Sequence, residues 1–383
     1  MRIGIDARRL AHDRLDGRLS YLKNALAGLL AVDDQNEYVL LVDGALRDSW
    51  PIERPNVKLA TLSRRFGRAS TPANDWWRLG AASRRLGLSG IHLPVDPYPR
   101  GATPHVVTAH DLMPYEQHYR CDLPLSRYLQ IEAVLAYSRI TYASVVRSAR
   151  RVICITEHMK DEFKKYLDLP DSQMTVIYPG GDNRAFHVID DEAALAAFRD
   201  RAGVPRRYVM AFGNKNLTVL LKAYSRLPAA TRREFALVVA GPTLQSPQQL
   251  AAVTAGLGIR DQVVFHARPI PHEELCWFYN AAALFVLPSQ YEMFCNMILE
   301  AMRCCCPVLA SGLKPNIEVG TDAIAYYHAV NDPDDLADSL GRLLDADSVL
   351  ADLGARGQAR GAMFTWRRHA QELVSLYSEA FPA

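Results

Sequence analysis

The chain has 383 residues, 49% of them apolar and 22% charged, with a formal net charge of +2. This is ordinary soluble composition, long enough for two or three domains, and so balanced a charge gives no bulk electrostatic case for nucleic acid. Seven cysteines, an odd number without ligand-like spacing, argue against a disulfide framework and fit a reducing compartment.

The opening Met1-Arg-Ile-Gly-Ile-Asp6 reads as a strand, not as a secretory apolar stretch. No apolar run approaches ~18 residues, so a cytoplasmic protein is expected. Strands are predicted over 2–6, 38–42, 57–60, 90–93, 105–108, 151–155 and 174–177, with helices over 20–32, 72–86, 125–147 and 157–167 between them. The alternation then restarts. Strands are predicted over 208–212, 236–240, 263–265, 283–287, 307–310 and 324–327, separated by helices over 217–227, 247–257, 272–282, 296–303 and 333–344. This pattern predicts an α/β protein with two Rossmann-like doubly wound parallel-sheet domains facing across a cleft. The join is placed in the Gly-, Pro- and charge-rich segment 179–205.

Ligands of such sheets bind beyond the carboxyl ends of strands, so the residues there are the candidates. Gly17 lies between the first strand and helix 20–32, where backbone can approach a phosphate; a simple turn fits the same spacing. His110, after strand 105–108, can touch a sugar or serve as a structural histidine. Lys215 follows strand 208–212 through Gly213 and Asn214, which puts an ammonium at a strand end; a solvated lysine at a helix start fits too. Arg268, after strand 263–265, can frame a base or lie on the surface. Glu292 and Glu300 bracket the loop and helix after strand 283–287, in Ser289-Gln-Tyr-Glu-Met-Phe-Cys-Asn-Met-Ile-Leu-Glu-Ala-Met302, with Asn296 expected to cap that helix. A helix start attracts an anion, and carboxylates beside it can accept hydrogen bonds from hydroxyls attached to that anion. An anion carrying polyols on both sides is a nucleotide sugar.

Metal chemistry finds little support. Cys304, Cys305 and Cys306 are adjacent and lack ligand spacing, so they read as small buried residues. Asp332-Pro-Asp334 reads as helix-cap chemistry. There is no G-x-G-x-x-G after a strand, no Walker loop, no H-E-x-x-H and no G-x-S-x-G.

These parts resemble, over nearly the full length, the retaining GT-B glycosyltransferases of family 4, bacterial enzymes of polysaccharide and lipid-linked glycan assembly among them. The resemblance runs through 1–42, 106–114, 152–182, 213–224, 264–289 and the block 289–311 that holds both glutamates. It implies an N-terminal acceptor domain over 1–182, a C-terminal donor domain over 183–365, and a tail, 366–383, packed back on the first. Glu292, His110 and Lys215 would then be the catalytic set. Glu300 would take the ribose hydroxyls, Phe294, Cys295 and Asn296 would offer backbone amides, and Gly17 and Arg268 would complete the donor contacts. A hexose, with mannose as the first expectation, would pass from a nucleoside diphosphate sugar to a glycan or lipid-linked hydroxyl, with retention and with neither cofactor nor metal.

Three departures from the family pattern stand out. Met293-Phe294-Cys295 replaces Gly-Phe-Gly, Leu19 replaces a second glycine, and Ala267-Arg268 replaces Gly and an aromatic residue. They leave open a non-catalytic partner that keeps the fold; an epimerase or phosphorylase of the same fold is the other alternative. The basic-aromatic residues of 63–68, Trp76, Trp77 and Arg78 suit peripheral contact with an anionic membrane, or equally a helix with inward tryptophans and a solvated basic face.

Overall fold

The structure, a computed structural model, describes residues 1–11, 17–43, 54–62, 72–95, 103–112, 136 and 139–381, with backbone alone for 11, 43 and 72–78. The predicted helical residues 125–135, the basic stretch 63–68 and the side chains of Trp76 and Trp77 lie outside it. Two compact units emerge, Met1–Gly180 with Trp366–Ala383, and Gly181–Thr365.

The first unit is built on β1 (Arg2–Asp6), β2 (Glu37–Asp43), β3 (Val57–Leu62), β4 (Gly90–Leu93), β5 (His105–Ala109), β6 (Arg151–Cys154) and β7 (Met174–Val176). They pair in parallel in the order β3-β2-β1-β4-β5-β6-β7. Every residue of β4 and β5 is buried, as expected of strands covered on both faces. The helices are α1 (Gly17–Val32), α2 (Pro72–Leu86), α3 (139–147) and α4 (Glu157–Leu167). Thr156 starts α4 by accepting the Met159 amide at 3.1 Å.

The second unit has β8 (Tyr208–Phe212), β9 (Ala236–Ala240), β10 (Val263–His266), β11 (Leu284–Leu287), β12 (Val308–Ser311) and β13 (Ala325–Tyr327). Their order is β10-β9-β8-β11-β12-β13, again parallel. Around them lie α5 (Glu192–Ala202), α6 (Leu217–Arg226), α7 (Ala229–Glu234), α8 (Pro247–Gly256), α9 (His272–Ala281), α10 (Asn296–Arg303), α11 (Lys314–Gly320), α12 (Pro333–Leu344) and α13 (Asp347–Gly361). The ends of this unit meet: the Gly181 amide donates to the Phe364 carbonyl at 3.1 Å. In both sheets the order reverses beside the first strand, at β1/β4 and at β8/β11. That reversal opens a crevice at the carboxyl ends, where Rossmann-like sheets take their ligands. Among the described residues no helix is long and apolar enough to cross a membrane.

The last helix, α14 (Trp366–Ala380), belongs to the first unit. Its Leu373, Leu376 and Tyr377 share one core with Leu22, Leu26 and Leu29 of α1. A buried polar chain pins it. His92 Nδ1 meets the Tyr377 hydroxyl at 2.6 Å, and its Nε2 meets Thr108 Oγ1 at 2.8 Å. His369 Nδ1 donates to the Tyr178 carbonyl at 2.9 Å, leaving Nε2 to accept from the Tyr21 hydroxyl at 3.0 Å. Burial, reinforced by the nearby His369 and His110, pushes His92 down to about 3. Burial likewise takes His369 down to about 4, against an upward pull from the Tyr178 carbonyl.

Both imidazoles are thus neutral when folded but charge near 6.5 in the unfolded chain, so the unfolded chain binds more protons between those limits. Stability is therefore full above about pH 6.5 and falls as the medium is acidified. At pH 5 each histidine is expected to cost roughly 2 kcal/mol. Thermal melts from pH 7 to 5 should show a steep fall that is shallower in His92→Gln; a flat profile would contradict the assignment.

Candidate functional site

At the β8/β11 reversal, two loops leave neighbouring strands. After β8 come Gly213, Asn214 and Lys215, and α6 starts at Leu217. A Cβ on Gly213 would stand 2.6 Å from Thr243 Cγ2 and 2.9 Å from the Pro242 carbonyl oxygen, so only glycine lets the β8 and β9 loops approach this closely. Asn216, the residue before α6, is left-handed with φ 46° and makes no side-chain cap.

After β11 the chain runs through Ser289 to Glu292. Lys215 Nζ donates to Glu292 Oε1 at 2.5 Å, and Ser289 Oγ donates to the same oxygen at 2.7 Å. The side chains are 20% and 10% exposed, so the pair is mostly removed from water. The lysine and the first glutamate predicted from sequence are therefore one unit. Behind them runs a buried relay. Ser311 Oγ donates to the Ser289 carbonyl at 2.7 Å, and Asn316 Nδ2 donates to the Ser311 carbonyl at 3.0 Å. These are hydrogen bonds of groups at most 2% exposed, which fix the loop carrying Glu292.

The helix holding Glu300 corrects one expectation. Asn296 does not cap α10; it is its first residue, and the cap position is Cys295, which makes no side-chain bond. Glu300 accordingly falls in the second turn. A helix start without a capping side chain leaves its first amides available to an anion. Met293 and Cys295 are both buried, and the Phe294 ring packs edge-on to Phe364 at 6.2 Å. Glu300 Oε2 accepts from the Tyr279 hydroxyl at 3.0 Å. Burial pushes the Glu300 carboxyl up to about 7; the Tyr279 bond opposes the rise and the Asp182 charge adds to it.

The remaining candidates are placed differently. Arg268, after edge strand β10, is exposed and paired with Glu274. His110 and Gly17 belong to the first unit. His110 sits at the carboxyl end of β5, donates from Nε2 to the Pro94 carbonyl at 2.7 Å and meets the Tyr21 ring edge-on at 4.5 Å. Gly17, read from sequence as lying between the first strand and a helix starting at residue 20, is the exposed first residue of α1, with nothing within 4 Å of where a Cβ would be. The next residue, Arg18, is paired with Asp111. Asp332 caps α12 by accepting the Asp334 amide at 2.9 Å. Among the described residues no three His, Cys, Asp or Glu cluster as a metal set would.

Reading the sequence missed Ser289 and Tyr279. Ser289 lay inside the glutamate block, and a hydroxyl three residues before a carboxylate on a loop is a usable signal. Tyr279 is 21 residues from Glu300 on another helix and left none.

Comparison with known proteins matches two family models, Glycosyl transferases group 1 over residues 208–360 and Glycosyltransferase Family 4 over 51–184. A D-inositol 3-phosphate glycosyltransferase of Thermobispora bispora is 33% identical over 252 residues, 62% of this chain and 57% of its own. That of Saccharomonospora viridis is 31% identical, over 62% and 58%. The chain thus matches somewhat over half the length of these relatives. Among solved structures, sucrose-phosphate synthase of Thermosynechococcus elongatus aligns with a TM-score of 0.72 at 18% identity, covering 99% of both chains. HepE of Anabaena, in complex with UDP and glucose, aligns with a TM-score of 0.67 at 17% identity, covering 99% of this chain and 100% of its own. These structural likenesses concern the fold.

Replacing Ser289 with alanine removes a hydrogen bond to a charged group and is expected to cost about 1.5 kcal/mol or more. Chemical denaturation should register that loss, and an unchanged midpoint would mean that Ser289 does not hold Glu292.

Proposed function

The chain belongs to the GT-B glycosyltransferases of the family 4 type, and from that membership we propose that it moves a hexose from a nucleoside diphosphate sugar to a hydroxyl acceptor, retaining the anomeric configuration. The observation that carries this reading is the Lys215–Glu292 pair at the β8/β11 reversal.

Lys215 and the amides of Phe294, Cys295 and Asn296 serve the diphosphate, and Glu300 takes the ribose hydroxyls. Glu292 lies beside the transferred sugar and orients the lysine. As the bond from the anomeric carbon to the phosphate oxygen breaks, the acceptor oxygen bonds to that carbon from the same face. Its proton passes to the departing phosphate. Charge on the leaving group is met by an ammonium and backbone dipoles held in place before the reaction, which is where most such stabilisation comes from. On this reading no metal is required, and turnover persists in excess chelator. For the first unit the proposal is narrower: His110 serves the transferred sugar.

The acceptor is proposed to be a glycan or lipid-linked hydroxyl in surface polysaccharide assembly, with the protein cytoplasmic and in contact with anionic membrane. A second reading, a phosphorylated polyol, is favoured by the relatives named for D-inositol 3-phosphate.

Calorimetry with UDP, GDP and ADP tests the donor half of the proposal, and binding of none of them would overturn it. Glu300→Ala is expected to lose about 1.5–3 kcal/mol of nucleotide affinity. Lys215→Ala should slow turnover on the order of a hundredfold or more, and a near-normal rate would remove the lysine from the chemistry.

A further inference from the structure

We propose that Tyr279 is a positioning residue of the nucleotide site: its hydroxyl holds one oxygen of Glu300 so that the carboxylate is presented to the ligand in a single orientation. This rests on the role given to Glu300 above.

The geometry is specific. Tyr279 is fully buried on α9 and donates to Oε2 of Glu300 on α10 at 3.0 Å. Its own ring cannot wander. Phe285 meets it edge-on at 5.3 Å, Phe186 at 5.9 Å and Phe212 at 6.4 Å. Phe212 is the last residue of β8, three before Lys215, so the packing that sets the phenol also sets the strand carrying the cation. Glu300 stays partly exposed, and Tyr279 is its hydrogen-bond partner among the described residues. A glutamate free to turn about three single bonds loses that freedom on binding; one already tethered does not.

The hydroxyl also acts on the charge. The groups around the carboxylate are Tyr279 from α9, Asp182 from the segment before α5, which opposes ionisation, and Cys304 at the C-terminal cap of α10, with Arg303 beside Asp182. Tyr279 is the group that favours the charged form, which alone accepts two ribose hydroxyls.

The test is Tyr279→Phe in the full chain, read by carbon NMR of labelled glutamate, with the Glu300 signal identified by its loss in Glu300→Gln. The Glu300 midpoint is expected to rise by about one pH unit. Affinity for UDP or GDP should fall about tenfold at pH 7.5, roughly threefold of it through the smaller ionised fraction and the rest through lost orientation, and recover only the first part at pH 9, where the carboxylate is ionised in both proteins. Tyr208→Phe, which removes a buried hydroxyl bonded instead to the Phe278 carbonyl, should change neither. An unmoved midpoint, or an affinity lost at pH 7.5 but fully restored at pH 9, which would leave no orienting role, overturns the proposal. A shifted midpoint without any effect on nucleotide binding upholds the tether and removes the ribose role from Glu300 instead. Should Tyr279→Phe not fold, the ring-carbon signal of Tyr279 in the wild type must follow the Glu300 titration and cease to do so in Glu300→Gln; a signal flat with pH overturns the proposal.

Discussion

One ion pair organises the second unit. Lys215 and Glu292 come from loops after β8 and β11, adjacent strands whose helices depart in opposite senses. At that reversal the sheet opens instead of closing over, and polar groups can stand in a mostly dry place. Leaving either charge alone there would be costly, since removing one partner of a buried pair strands the other. The pair therefore requires the rest: Ser289 on the same carboxylate oxygen, Ser311 behind Ser289, and Asn316 behind Ser311. Glycine at 213 is what lets the lysine's loop lie against its neighbour.

The two glutamates of the block are eight residues apart and live in different surroundings. Glu292 sits beside a cation and a hydroxyl donor. Glu300 sits against a phenol, with the Asp182 charge nearby and burial raising its pKa. The first is tied into an ion pair, whereas burial leaves the second near its switching point.

Most of the frame was legible in the sequence, because parallel strands covered on both faces appear as short, almost wholly apolar runs. The segments 2–6, 90–93, 208–212 and 236–240 match β1, β4, β8 and β9 to the residue. What escaped is instructive. Helix α7 has six residues, and α11 carries Pro315 and ends at Gly320, so neither offers enough periodicity to read. Helix α13 carries Gly354, Gly357 and Gly361, which propensity disfavours. Those glycines form a flat stripe. A Cβ on Gly354 would stand 2.6 Å from the Cys305 carbonyl, and one on Gly357 or Gly361 would stand 3.2 Å from Met302. Tertiary packing against the end of α10 overrides local preference there. The same holds at the site. Lys215, Glu292 and Glu300 announce themselves by charge at strand and helix ends, whereas Tyr279 reads as one more aromatic of an apolar helix until the fold lays α9 beside α10.

The hydrogen bond between Gly181 and Phe364 brings together the two points where the backbone enters and leaves the second unit. A segment whose entrance and exit adjoin is topologically a plug-in. It can be lifted out of one polypeptide and spliced into a surface loop of another without stretching the host, because the host sees only a short gap to bridge. Recombination between chains of this architecture can therefore trade whole second units at residues 181 and 365, keeping the first sheet and its returning helix as a constant chassis.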